Sequence, residues 1–482
     1  MTEIAVVGAG PAGVAAAVTA AEAGAHVTLI DEYTRPGGQY FKQPAASIDP
    51  STFPSSLADT IQQGRALLAG LSHPNIHLQC NTLVWNISPD RVLNLYGPGG
   101  PSRLQAKKII IASGAYERVV AFPGWTLPGV TTVGGAQLLL KGQGMLIGRR
   151  VLLAGTGPLL QLAGAQFVDA GAEVVAIVEL QSRREFLGNA VKLLGQWDKI
   201  GQGVTNQRRI KEAGVPMKFG SAVVRALGAH QVEGAIIAKV DGAGRPRPTS
   251  EEHLAVDVIC LNFGFLPATE LTRLAGCEQR FDPHFGSLAT STNEDLETSR
   301  PGIFAAGEVR GIGGAAVALL EGQIAGAVAA GQLGHRDASR NGESEVRREW
   351  QKARAAVASL GVMFAVKPGL YDLATDDVVI CRCEEVTAGT VREAVRGGAT
   401  GLNSLKTWTR LGMGRCQGRI CGSIAAHIVA RESGQPVEAV GAFTARAPIK
   451  PVPLGVVAEA PVQQGVRQAM EDHVGYGRAI IR

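Results

Sequence analysis

Four cysteines crowd into 41 residues: Cys381, Cys383, Cys416 and Cys421, while Cys80, Cys260 and Cys277 stand alone. In a chain that opens without an export signal, thiols at this density point to metal or redox chemistry before structural disulfides. Cys381-Arg382-Cys383 predicts two thiols on one side of an extended segment, because strand side chains alternate with a period of two. Cys416 to Cys421 predicts two more around a loop that opens the apolar helix Gly422 to Ala430. Zinc and iron–sulfur centres both accept four thiolates. The C-x-C spacing lies outside the usual zinc pattern, and Arg382, Lys406, Arg410, Arg415 and Arg419 would offset the negative charge of a [2Fe-2S] cluster. The cluster is therefore the expectation, with a zinc knuckle as the alternative.

A second chemistry-bearing pattern sits at the other end of the chain. Gly8-Ala9-Gly10-Pro11-Ala12-Gly13 follows the apolar run Ile4 to Val7 and precedes an Ala-rich stretch. The first glycine permits a tight turn, the second lets the backbone approach a pyrophosphate, and the third lets the helix lie close on the sheet. Free N–H groups at the helix start favour phosphate. Asp31, at the end of the next strand (Val27 to Ile30), stands where a carboxylate accepts from ribose hydroxyls, with Glu32 beside it. Arg35-Pro36-Gly37-Gly38-Gln39 is a further glycine turn suited to wrapping a large cofactor, so FAD fits better than NAD. Ser113-Gly114 ends another buried strand, and Gly307-Glu308 follows the strand 302–306, with Glu308 expected on a ribityl hydroxyl.

The turn recurs. Gly155-Thr156-Gly157-Pro158 follows Val151 to Ala154, but Leu160 occupies the third glycine position and Glu179 takes the place of the ribose-binding acid. Leucine there is expected to hold the helix off the strand and to narrow the room for a pyrophosphate. NAD, a nucleotide such as ATP, and an empty structural relic all remain open for this second unit.

The elements that must position these residues are two βαβ units and a small cysteine-rich module. At 482 residues the chain is long enough for about three domains. Sixty-two glycines, with no collagen-like period, serve turns and close backbone approaches. The 47 basic and 42 acidic residues are too evenly matched for a nucleic-acid or polybasic membrane surface. The start carries no positive n-region, and the uncharged run 4–21 is broken by glycines, so no transmembrane segment is expected. The nine histidines are scattered, and no side-chain constellation resembles a nucleophile or acid–base machine. Chemistry therefore falls to cofactors.

The turn 8–13, the strand ending Ser113-Gly114-Ala115 and Gly302 to Glu308 resemble the two-dinucleotide-domain flavoproteins that include glutathione and thioredoxin reductases. With no C-x-x-C or C-x4-C before residue 381, disulfide reduction is excluded. The segment Cys381 to Cys421 resembles the bacterioferritin-associated-ferredoxin type of [2Fe-2S] domain. The whole is similar to the alpha subunits of heteromeric FAD/[2Fe-2S] amine and imino-acid dehydrogenases. That group holds the opine oxidase A subunits, the hydrogen cyanide synthase B subunits and the D-hydroxyproline dehydrogenase alpha subunits. Within it Leu160 and Glu308 are usual. Further matching segments are Gly264-Phe265-Leu266-Pro267 and Pro451-Val452-Pro453-Leu454-Gly455.

The resemblance implies an α/β fold with two Rossmann-like domains and a small C-terminal ferredoxin-like domain. Residues 1–118 and 285–332 would bind FAD, 119–284 form the NAD-like domain, 333–377 a connector, 378–432 the cluster domain and 433–482 a tail touching a neighbouring chain. It implies an electron-transfer subunit whose FAD-bearing beta partner oxidises a C–N bond of an amino acid, imino acid or opine. A small gamma subunit, FMN at a subunit interface and an unspecified electron acceptor belong to the same expectation. So does a cytoplasmic location, associated with the inner membrane face only through the acceptor. Two other readings stay open: a self-sufficient NADH-dependent reductase passing electrons to a ferredoxin or other acceptor, and a scaffold whose nucleotide sites only stabilise assembly.

Overall fold

A computed structural model describes residues 2–49, 53–88, 90–185, 197–283, 285–335 and 343–459. Its centre is two parallel five-stranded sheets. The first runs in the order Ile303–Ala305, Lys108–Ile111, Ile4–Val7, Val27–Ile30, Ile76–Gln79. Every residue of Ile4–Val7 and Val27–Ile30 is buried, as parallel strands covered on both faces require. The second sheet repeats the plan: Met217–Phe219, Glu173–Glu179, Arg150–Gly155, Val258–Asn262, Val130–Thr132. Each sheet has a three-stranded antiparallel companion, Leu83–Gln105 in the first half and Ser221–Leu254 in the second.

Small residues decide how the first half packs. The helix Pro11–Glu22 lies against the helix Gly314–Gly331 with backbones nearly touching. A Cβ on Gly322 would stand 2.1 Å from the Ala12 carbonyl oxygen, and one on Gly326 2.4 Å from that of Ala16. Gly314–Gly331 has the length and apolarity of a membrane span, and half of it is buried inside the fold. Glu321 on this helix is fully buried; it accepts from Gly307 N (2.8 Å) and Trp350 Nε1 (3.0 Å) and pairs with Arg310. Trp350 belongs to the connector helix Glu343–Met363, so one carboxylate ties the connector to the loop carrying Glu308.

The second sheet, the crossing segment 119–125 and the cysteine module share one continuous core. Trp125 is its rivet: almost wholly buried, it donates Nε1 to Val379 O (2.6 Å) and lies under the Arg382 guanidinium, 4.2 Å from ring centre to Cζ. The connector wraps the same half through Gln181 Nε2 to Ala365 O (2.9 Å) and Lys367 to Glu185 (2.9 Å).

The cysteine module is a hairpin, Val379–Cys381 against Val386–Thr387, followed by helices Ala388–Arg396, Leu402–Thr409 and Cys421–Ser433. Thr387 caps the first helix by accepting from Thr390 N (3.2 Å). The tail does not leave the molecule at 433. Its described part docks on this chain: Arg273 donates to Phe443 O (2.7 Å), Ile449 N to Trp85 O (3.0 Å), and Lys450 pairs with Glu32. Residues 460–482 of the expected tail, and 336–342 of the expected connector, lie outside the described residues.

Candidate functional site

The first glycine turn has the shape its residues demand. Gly8 has φ +102°, and a Cβ there would stand 2.3 Å from the Ala112 carbonyl oxygen. A Cβ on Gly13 would be 1.7 Å from Gly8 O, so the helix can lie this close only with glycine. Gly10 precedes the helix, Pro11 opens it, and no side chain caps it. The N–H groups of Ala12 and Gly13 therefore have no intrahelical acceptor and are left for a ligand. Gly38 closes over Gly10, Cα against the Cβ position at 3.8 Å, and Gly37 N donates to Ala9 O (2.7 Å), so the two glycine turns form one cradle.

Asp31 clasps this cradle, accepting from Ala9 N (2.6 Å) and Tyr33 N (2.8 Å). Burial pushes its pKa up against those two N–H groups. Glu32, expected at the cofactor, engages Lys450 at the surface. Arg35 bonds Pro44 O, and Gln39 lies beside the Tyr33 hydroxyl. Ser113 Oγ donates to Ala268 O (2.7 Å), fastening the end of the strand Lys108–Ile111 to the chain returning from the second half. Gly114 (φ +73°) has nothing within 4 Å of its Cβ position. Glu308 is half-buried with its pKa raised by desolvation; its Oε1 accepts from Gly314 N (3.1 Å) at the start of the next helix. The cradle, this helix start and the Ser113-Gly114 corner surround the carboxyl ends of the first sheet, the ligand crevice of open α/β folds.

The second unit copies the clasp. Glu179 accepts from Gly157 N (3.2 Å) and Gln181 N (3.0 Å), as Asp31 does from Ala9 and Tyr33. Gly155 (φ +142°) and Gly157 (φ +113°) take conformations open to glycine, and the helix Pro158–Asp169 again starts without a side-chain cap. Leu160 is fully buried in the core beneath the helix. Desolvation pushes Glu179 up to about 7 against these hydrogen bonds. Asn262 Oδ1 is buried without a hydrogen-bond partner beside this turn.

The four cysteines come together, by a route different from the expected one. Cys381 ends its strand and is buried, whereas Cys383 sits exposed at the tip of the turn 382–385. Strand alternation therefore does not set their facing; the hairpin turn does, with Glu385 at φ +53°. The thiols meet in two pairs, Cys381 with Cys421 and Cys383 with Cys416. Hydrogen bonding from Cys421, then from the N–H groups of Gly412, Glu384 and Cys383, outweighs burial and holds Cys381 down to about 5, while Cys421 is pushed up by the same contact. Among the described residues, no three His, Cys, Asp or Glu side chains surround one point as a single metal ion requires.

The glycines of the second cysteine loop are not marked by spacing, yet they shape the cage. A Cβ on Gly414 would fall 2.1 Å from Cys383 Cβ, and Cβ atoms on Gly412 and Gly418 would fall 2.8 and 2.5 Å from the Phe443 ring. Density of glycine between 412 and 422 is the signal that could have marked them. The basic residues are mostly engaged elsewhere: Arg382 on Trp125, Arg410 with Glu384 (2.9 Å), Arg419 with Glu270 (3.2 Å).

An FAD-type cradle, a second nucleotide fold and a joining hinge define a flavoprotein oxidoreductase. The pyridine nucleotide-disulphide oxidoreductase family model matches residues 2–334, and the sarcosine oxidase A3 domain matches 378–460, running past 432 through the docked tail. The chain belongs to the pyridine nucleotide-disulphide oxidoreductase family, in the branch that contains the opine oxidase A subunits. The opine oxidase A subunit of Rhizobium meliloti (strain 1021) is 34% identical over 462 residues, covering 94% of this chain and 98% of that one. The hydrogen cyanide synthase subunit HcnB of Pseudomonas aeruginosa is 32% identical over 454 residues, covering 93% and 96%. In fold, L-proline dehydrogenase from P. horikoshii superposes with a TM-score of 0.67 at 20% identity, over 95% of this chain and 79% of that one. Membership implies FAD in the first unit, and the uncapped helix with its glycine cradle fits it. Bound there, FAD would supply one- and two-electron chemistry; the protein's part is to hold its phosphates and clasp the turn beneath them.

Proposed function

We propose that this chain is the FAD- and [2Fe-2S]-containing electron-transfer subunit of a heteromeric dehydrogenase or oxidase. Oxidation of the C–N bond of an amino acid, imino acid or opine takes place on a partner FAD-bearing beta subunit, and electrons pass through this chain to an acceptor. The observation that carries the reading is the meeting of four thiols in two pairs at the edge of an FAD-type fold. Two pairs suit a binuclear cluster, in which each iron takes two protein thiolates, better than one tetrahedral zinc. End-to-end similarity to an opine oxidase A subunit supports the subunit role. Cys381, Cys383, Cys416 and Cys421 would be the ligands. Gly8, Gly10, Ala12, Gly13, Asp31, Gly38, Gln39, Ser113, Gly114, Gly307 and Glu308 would surround the FAD, and 378–432 would be the cluster domain.

The test is to purify the chain alone and together with its beta subunit. Alone it should carry flavin and iron–sulfur absorbance and oxidise no amine; the pair should oxidise one. Amine oxidation by the single chain would overturn the assignment. A small gamma subunit, FMN at the subunit interface and a cytoplasmic location, associated with the inner membrane face only through the acceptor, complete the proposal.

The second nucleotide site keeps an uncapped helix and an orphaned Asn262 Oδ1, which supports NAD or ATP between Gly155, Gly157 and Glu179. Rapid bleaching of the flavin by NADH in a stopped-flow experiment would favour a self-sufficient reductase. Its absence would favour the subunit.

A further inference from the structure

A cavity of about 140 Å³ lies where the flavin half, the cysteine loop and the tail meet. At roughly 30 Å³ per water it has room for four or five waters, or for one small organic anion. Its wall holds four cations, Arg273, Lys406, Arg419 and Arg446, against one carboxylate, Glu270.

Only one of the four is neutralised. Arg419 gives Nε to Glu270 (3.2 Å) and its remaining N–H groups to the carbonyls of Cys416 (3.2 Å) and Ile449 (3.1 Å). Arg273 spends Nη1 on Phe443 O (2.7 Å), but its Nε is buried with no partner. Lys406 stands over the Phe443 ring at 5.7 Å, and Arg446 is exposed at the rim. Among the described residues none of these three has a carboxylate within ion-pair distance.

Three cations without a carboxylate partner around one cavity repel one another. An apolar filling would leave that repulsion in place. A small oxyanion would offset it, standing against the charges of Arg273, Lys406 and Arg446.

We propose that the cavity between the helix Glu270–Leu274, the Cys416–Cys421 loop and the tail segment 441–446 is a binding site for a small doubly charged oxyanion, either phosphate or a dicarboxylate. Because Gln417 and Gly418 of the cysteine loop form part of its wall, an occupant sits beside the thiol cage without touching its ligands.

The experiment is isothermal titration of the full-length protein, as purified and dialysed into a buffer free of phosphate and carboxylate, with inorganic phosphate and separately with succinate. Saturable one-to-one binding is expected for at least one of them; phosphate alone or succinate alone identifies the source. Lys406→Gln and Arg446→Gln, both at solvent-accessible positions and outside the thiol cage, should each weaken it about 10-fold, which is ~1.4 kcal/mol. No saturable heat with either anion would overturn the proposal. So would an affinity unchanged in both Lys406→Gln and Arg446→Gln, or one that sodium chloride abolishes equally at matched ionic strength.

Discussion

Single atoms decide much of this molecule. The Gly13 Cβ position lies 1.7 Å from a backbone oxygen, so Gly13→Ala must push the helix off the sheet and open the phosphate cradle. Overpacking of this kind costs about 1–3 kcal/mol. The variant should lose bound FAD and unfold at lower denaturant concentration; full flavin content with an unchanged midpoint would refute the role given to this glycine. Gly414→Ala makes a parallel case at the other end, since its Cβ would fall 2.1 Å from Cys383 Cβ. It should remove iron–sulfur absorbance while leaving the flavin in place, as Cys383→Ser should. Glu179 offers a pH signature. Its pKa rises from 4.5 to about 7 on folding, chiefly through burial, so the folded state holds the proton more tightly. Its contribution to stability is complete below pH 4.5 and is lost as pH rises through about 7. Glu179→Gln should flatten that part of the stability curve. Denaturant midpoints at pH 5 and pH 8 measure it, and an equal drop in both proteins would contradict the assignment.

Among the elements, the hinge does the work least visible in the sequence. Phe122-Pro123-Gly124-Trp125 through Pro128-Gly129 joins the first unit to the second. In the fold Trp125 joins the second sheet to the cysteine hairpin through Val379 and Arg382. Trp125→Ala removes a buried indole and its hydrogen bond, which costs about 3–5 kcal/mol. The loss should appear as a lower midpoint together with faster hydrogen exchange at residues 379–386; exchange unchanged there would show that the module stands without the rivet. Regular elements are legible because period and glycine punctuation mark them: the strands Ile4 to Val7, Val27 to Ile30 and Val151 to Ala154 and the helix Gly422 to Ala430 lie within a few residues of their observed limits. The facing of Cys381 and Cys383 is not, since a hairpin turn overrides strand alternation. Nor can Phe443 and Trp125 be placed from sequence, because contacts between residues tens to hundreds of positions apart leave no periodic trace.

At the scale of the whole molecule, the cysteine module is not an appendage on a linker. It shares a core with the second nucleotide domain, and it is tied to the first by the docked tail and by Arg419–Glu270, since the helix Glu270–Leu274, although inside the range expected for the second domain, packs Leu271 into the core of the first sheet. That arrangement fixes the thiol cage relative to the flavin cradle, as the proposed relay between two redox centres requires. The measurement that tests this most directly is low-temperature EPR of the anaerobically purified, dithionite-reduced chain, paired with metal analysis. A relay of this kind predicts a reduced [2Fe-2S] signal with about two irons per chain, absent in Cys383→Ser. An EPR-silent protein containing one zinc per chain would contradict it.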